Sequence, residues 1–188
     1  HSATIHEALH RSPVEGLDVV PANIDLSAAE IQLVNEVGRE QALARALRPV
    51  MNDYDYIIVD CQPSLGLLTV NALSCADSVI IPMECEYFAL RGLALLTDTV
   101  EKVRDRLNFR LEVLGILVTM FDRRTNHSRE VMDRVVEFFG DKVFDTVITR
   151  TVRFPETSVA GEPITSWAPA SDGAQQYLDL AAEVVERS

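Results

Sequence analysis

The chain has 188 residues, 47% of them hydrophobic and 24% charged, with a formal charge of −12. That length and apolar content suit one folded domain with a sizeable core and argue against disorder. The acidic balance excludes nucleic-acid binding by the whole surface and leaves only a local patch of Lys and Arg for phosphate contact.

The longest apolar runs, 56–59 and 114–118 among them, fall far short of the ~20 residues a membrane helix needs. No basic-then-apolar leader pattern opens the chain. Cys61, Cys75 and Cys85 lack C-x-x-C spacing, which fits inert thiols in a reducing compartment. Together these features read as a soluble cytoplasmic protein.

Apolar segments of strand length alternate with longer segments of helical period, the pattern of βαβ units around a mostly parallel sheet flanked by helices on both faces, hence an α/β fold. A first strand is expected at 17–21. Ser27, with Glu30 three residues on, has the form of a capping box. The helix it opens is expected to run to Pro49, with Ile31, Val34, Leu43 and Leu47 inward. Strands are then expected at 56–60 and 78–82, each a nearly continuous apolar run of the kind that is buried on both faces.

A helix is expected over 90–107 from the spacing of Leu93, Leu96, Val100 and Val103, then a strand at 114–120. The helix after Asn126 should bury Val131, Val135 and Phe138 and end near Gly140. A last strand at 143–149 precedes a helix from about Gly173 carrying Ala174, Leu178, Ala181 and Val185.

The run that ends in Asp60, with Cys61-Gln62-Pro63-Ser64 after it, puts a carboxylate at the carboxyl edge of the expected sheet. Ligands of open α/β sheets bind at that edge. Such a carboxylate either holds the water shell of a Mg²⁺ that bridges nucleotide phosphates or is a solvated acid capping the next helix, and the pattern alone leaves both readings open.

The residues 54–73, then Asp77-Ser78-Val79-Ile80-Ile81-Pro82 and Glu86-Tyr87-Phe88-Ala89-Leu90-Arg91-Gly92, resemble the Walker B region of ParA/Soj partitioning ATPases and the segment C-terminal to it. The resemblance continues through residues 115–126, through Val143-Phe144-Asp145-Thr146-Val147-Ile148 with Arg150 and Arg153, and into Gly161-Glu162-Pro163-Ile164. Upstream, residues 21–27 are similar too, so nearly the whole chain is covered.

The resemblance implies a P-loop ATPase with ATP and Mg²⁺ as cofactors. Two subunits close face to face on ATP as a homodimer that binds DNA without sequence preference on the nucleoid, and a ParB-like protein stimulates hydrolysis. By position, Asp60 is the Walker B acid that supports Mg²⁺, with Pro63 and Ser64 shaping the turn beside the phosphates. Met120 and the segment 149–158, with Thr149 and Glu156, match regions that contact base and ribose. On composition alone, Pro63 serves equally to stop a strand, Met120 to fill a core and Glu156 to cap a short helix.

Arg123, Arg124, Arg150 and Arg153 match the family's positions for side chains that reach DNA phosphates, and guanidinium forks suit phosphate oxygens. The segment 122–153 carries a net charge of +1, the least acidic part of the chain.

No Gly-rich loop with Lys-Thr or Lys-Ser at its end occurs; Gly38, Gly66, Gly92, Gly115 and Gly140 all stand alone. Clustered N–H groups and a lysine for the β- and γ-phosphates are therefore not supplied by these residues. In the family that loop precedes the region matching His1. The expectation is that residues 1–188 are the larger, C-terminal part of a single domain of a longer ATPase, inactive without that loop. The competing reading is a non-catalytic module on the same fold that binds a partner or DNA without nucleotide.

Three positions depart from the family's pattern. Gln62 stands in place of proline, Thr149 in place of the proline before the arginine, and Thr157-Ser158 in place of Ala-Pro. A membrane-positioning relative is disfavoured by the acidic terminus of Asp179, Glu183 and Glu186.

Overall fold

The structure is a computed structural model that describes residues 4–86 and 89–188. Tyr87 and Phe88, part of the run that resembles the family, lie outside the described residues. The chain divides into two compact units, one of residues 1–77 with 101–111, the other of residues 78–100 with 112–188.

In the first unit, the short helix α1 (Ile5–Ala8) is closed by a capping box between Thr4 and Glu7. Next comes a two-residue antiparallel ribbon, β1 (His10–Arg11) with β2 (Asp18–Val19). The strand expected at 17–21 is therefore the return arm of a hairpin and no member of a parallel sheet. The chain reverses at Gly16, φ 78°, and Ser12 N–H donates to Leu17 O at 3.1 Å.

The single long helix expected from Ser27 to Pro49 is broken. It becomes α2 (Leu26–Leu33), a 3₁₀ turn at Arg39–Gln41 and α3 (Ala42–Leu47). The break centres on Gly38, whose φ of 67° is a left-handed conformation that ends helices.

Ser27 does not cap. Its hydroxyl donates to Ile24 O at 2.6 Å, and α2 starts without a side-chain cap. Glu30 accepts from Leu68 N–H at 3.2 Å instead, serving the start of α4 (Leu67–Cys75), where helix N–H groups lack partners. Ile31 and Val34, expected inward, are exposed, whereas Leu43 and Leu47 are half-buried.

Asn71 organises this unit. Buried on α4, it donates through Nδ2 to Arg39 O at 2.8 Å and accepts from Leu43 N–H at 3.1 Å, which satisfies the starts of the 3₁₀ turn and α3 at once.

Residues 56–60 do not form the expected strand. Tyr56, Ile57, Ile58 and Val59 are all exposed, Ile58 at 91%. Among the described residues their backbone groups pair with no neighbouring strand. A strand requires a ladder partner, and apolar character alone does not supply one.

The second unit is α/β in the expected sense. β3 (Ser78–Glu84) pairs in parallel with β4 (Glu112–Thr119), joined by α5 (Ala89–Arg106), whose last turns belong to the first unit. The register is Ile81↔Ile116 and Met83↔Val118, with an irregularity at Val79/Ile80 that places Leu114 beyond the regular count. That extra residue puts Val113 on one face and both Leu114 and Leu117 on the other.

On one face Ile81, Met83, Ile116 and Val118 pack with Leu93 of α5 and Val131 and Val135 of α6 (Asn126–Phe139). On the other, Leu117 packs with Phe144, Ile148, Phe154 of α7 (Arg153–Ala160), and Leu180 and Val184. Helices thus cover both faces, the arrangement that lets parallel strands be apolar throughout.

The segment 143–149 is a partial third strand. It meets β4 through a parallel bridge at Ile116↔Val143 and a bond from Ile148 N–H to Val118 O at 2.9 Å, and meets the residues after β4 through a second bridge at Phe121↔Thr149. Its close approach requires Gly115, where a Cβ would collide with the Phe144 ring and meet Lys142 O. Helix α6 ends at Gly140 as expected, but Phe138 is 72% exposed.

After α8 (Ile164–Trp167), the final helix α9 (Asp172–Arg187) is turned relative to expectation. Ala174 is buried, yet Leu178, Ala181 and Val185 face solvent. The reason lies in polar anchors. Glu183 accepts from Asp145 and Thr146 N–H at 2.8 and 3.0 Å, while Arg187 donates to Asp141 O and Val143 O and stacks over Phe144 at 4.4 Å. Satisfying those backbone groups sets the rotation of the helix.

Candidate nucleotide rim at the carboxyl edge of the sheet

β3 and β4 run parallel, so their carboxyl ends open onto the same edge. Beyond β4 the chain turns sharply at Met120, whose φ of 50° is left-handed and unusual for a side chain of that size. Phe121 is then held on both sides, donating to Ile148 O at 3.0 Å and accepting from Arg150 N–H at 3.1 Å. Asp122 accepts from Arg124 N–H at 2.9 Å, and Thr125 caps α6 by accepting from Ser128 N–H.

These turns enclose a cavity of about 160 Å³. Glu84, Cys85 and Glu86 line it from the end of β3, Met120 and Asp122 from the end of β4. The start of α6 contributes Thr125, His127 and Ser128, and Arg150 comes from the third strand. The lining is polar and holds both signs of charge. Burial, with a smaller contribution from the Glu86 charge, pushes the Cys85 thiol up to about 11. At neutral pH the free thiol is protonated and a poor nucleophile.

Of the residues singled out from sequence as site residues, Met120 and Arg150 both line this cavity, and Thr149 is the residue before Arg150. Thr149 N–H donates to Oε1 of Gln176 on α9 at 2.9 Å, and Gln176 Nε2 donates to Thr149 Oγ1 at 3.0 Å. Glu156 is exposed on α7 and pairs with Arg153 at 3.3 Å. Arg123 and Arg124 are exposed in the turn after Phe121, and Arg123 O accepts from Arg129 Nη2 at 2.6 Å.

Asp60, Pro63 and Ser64 belong to the first unit, and all three are exposed. Ser64 O accepts from Thr69 Oγ1 at 2.5 Å and Ser64 N–H donates to Gln62 O at 2.7 Å, a tight turn into α4. Among the described residues no group of three His, Cys, Asp or Glu side chains could hold a metal ion. The donor set here is one exposed carboxylate, Asp60. It fits a Mg²⁺ held mainly by water and phosphate oxygens and does not fit an all-protein cage.

Glu84, His127 and Gln176 were not legible as site residues. Glu84 had a weak signal, an acid at the last position of an apolar run. Gln176 had none, because its role depends on a segment 27 residues away.

A family model described as an AAA domain matches residues 1–113. An uncharacterised protein of Mycobacterium tuberculosis is 71% identical over 184 residues, 98% of this chain and 58% of that relative. The sporulation initiation inhibitor protein Soj of Bacillus subtilis is 51% identical over 182 residues, 97% of this chain and 72% of Soj.

Among solved structures, the cobyrinic acid a,c-diamide synthase of Mycobacterium smegmatis superposes with a TM-score of 0.80 at 38% identity, over 96% of this chain and 66% of that one. A second structure of that synthase, with bound ADP and magnesium, has a TM-score of 0.73 at 39% identity, over 88% of this chain and 68% of that one. The cell division ATPase MinD of Pyrococcus furiosus shares the fold at 19% identity, with a TM-score of 0.77 over 99% of this chain and 72% of MinD.

A parallel sheet covered by helices on both faces, with its polar cavity at the carboxyl edge, places the protein in the α/β class of P-loop NTPase-like folds. Its near-complete match to Soj is specific to one branch of that class, and the chain belongs to the ParA/Soj family. It spans 58% of the length of its mycobacterial relatives. No helix among the described residues is long and apolar enough to cross a membrane.

Proposed function

We propose that residues 1–188 form the larger, C-terminal part of a single ParA-like ATPase domain, and that the whole protein is an ATP-driven switch of chromosome or plasmid partitioning. The observation that supports this most is the meeting of Met120 and Arg150 in a cavity at the carboxyl edge of β3 and β4, the edge where α/β sheets bind ligands. Relatives named as chromosome-partitioning proteins, and a similar protein seen with ADP and magnesium, support the same reading.

In this reading the cavity borders the nucleotide base, with Thr149 and Glu156 on its rim. Asp60, with Pro63 and Ser64 beside it, supports Mg²⁺ through water. Magnesium would offset phosphate charge and draw electron density from the transferred phosphoryl group. ATP closes a homodimer, Arg123, Arg124 and Arg153 face DNA phosphates on the nucleoid while Arg150 lines the cavity instead, and a ParB-like protein stimulates hydrolysis in the cytoplasm. Residues 1–188 alone are inactive, because no phosphate loop occurs among them.

Calorimetry of the full-length protein with ATP and Mg²⁺ tests the core of the proposal, and the absence of binding would end it. For DNA, Arg124→Glu and Arg153→Glu should each weaken binding of random-sequence duplex about tenfold and flatten its salt dependence. Unchanged salt slopes would remove these arginines from the interface.

A further inference from the structure

Position 149 departs from the family pattern, and the structure shows what accompanies the departure. The bridge between Phe121 and Thr149 is made by the bonds of Ile148 O and Arg150 N–H, the residues on either side. Thr149's own N–H is therefore not used by the sheet and points the other way. A proline there would have no N–H to satisfy, and its ring would hold φ. Threonine does neither, so its half-buried N–H needs an acceptor and its backbone needs another restraint.

Gln176 supplies both. Its amide forms a two-point contact, with Oε1 accepting from Thr149 N–H and Nε2 donating to Thr149 Oγ1. The rest of this stretch of α9 is shaped to the same loop. Gly173 lies where a Cβ would press on Phe154 at 3.3 Å, and Tyr177 meets the Phe154 ring edge-on at 5.8 Å. The loop between carries Arg150, one of the residues that line the cavity.

We propose that Gln176 is a positioning residue of the nucleotide rim: by binding both polar groups of Thr149 it takes the place of a proline's rigidity and holds Arg150 in the cavity. This rests on the reading of that cavity as the border of a nucleotide site. Gln176 itself stays outside the cavity, so it acts through Thr149 and touches no ligand.

The test uses the full-length protein and two measurements. In Gln176→Ala, amide exchange at Arg150 should quicken about tenfold, the effect of losing bonds of this kind, while Ile148, bonded to Val118 O at 2.9 Å, stays unchanged. Adding Thr149→Pro to that variant should return Arg150 to within about twofold of the parent, because proline restores the restraint without needing the glutamine. Gln176→Glu, which keeps the acceptor, should also keep Arg150 protected.

ATP–Mg²⁺ affinity should track the same order, falling about five- to tenfold in Gln176→Ala and recovering in the double variant. A contact that serves stability alone would lower the melting temperature of Gln176→Ala without moving affinity, and proline would rescue nothing. Either unchanged exchange at Arg150 or faster exchange with unchanged affinity overturns the proposal. If the parent protein binds no nucleotide, the functional reading fails, and exchange at Arg150 alone decides whether Gln176 holds the loop.

Discussion

Residues 56–59 and residues 114–118 are equally apolar, and only the second run is a strand. Val118 and Ile116 lie in a parallel ladder with helices on both sides, 0% and 1% exposed, whereas Ile58 is 91% exposed and belongs to no ladder among the described residues. Strand character in a parallel sheet is a property of partners on both edges and covers on both faces. Sequence pattern states the demand for partners, and only the fold shows whether it is met.

The sharpest way to break this contrast is to put a carboxylate into each run. Val118→Asp should cost more than about 3 kcal/mol and abolish cooperative urea unfolding, because the charge is buried without a partner. Ile58→Asp should shift the midpoint by no more than about 0.5 kcal/mol. Equal losses would mean that residues 56–59 are as buried in solution as β4.

Next in size is Gly115→Ala, expected to cost about 1–3 kcal/mol because the added methyl overlaps the Phe144 ring and prises the third strand from β4. A thermal melt within a degree of the parent would show that the 143–149 segment is not held as tightly as its bridges indicate.

Glu183 offers a smaller effect with a defined pH dependence. Burial raises its pKa, but the hydrogen bonds from Thr146 and Asp145 and the nearby Arg187 charge outweigh that and leave it below the ordinary 4.5. A lowered native pKa means stability that is complete above about pH 4.5 and drains away as pH falls through the native value. Glu183→Gln should remove that part of the acid-side decline in chemical-denaturation midpoint, and an unaltered profile would exclude the carboxylate as its source.

The smallest effect separates two caps that look alike in sequence. Thr125→Ala should cost about 1 kcal/mol, since its hydroxyl accepts at the start of α6, whereas Ser27→Ala should be nearly silent because no cap bond exists there. Equal costs would restore the capping box that the fold lacks.

The second unit was legible because its signals agree. The spacing of Leu93, Val100 and Val103 gave α5, and the apolar runs gave β3 and β4 to within two residues at each end. Failures came where a polar side chain answered a distant backbone group. Glu30 serves Leu68, and Glu183 with Arg187 turns α9 so that Leu178 and Val185 face water. Periodicity measures apolar demand and is blind to such bonds. At the cavity, resemblance singled out Met120 for a nucleotide and Arg150 for DNA, and the fold brings the two together, whereas nothing local marks Gln176, whose bonds go to a residue 27 positions away.

The three thiols differ in a way that is useful at the bench. Cys85 is buried and held protonated, Cys75 is half-buried, and Cys61 is exposed immediately after Asp60. Burial, aided by the Asp60 charge, raises the Cys61 pKa as well, so exposure and not acidity sets this thiol apart. A maleimide dye should then attach first at Cys61, giving a fluorescent reporter one residue from Asp60, the carboxylate proposed to support magnesium, without any engineered substitution.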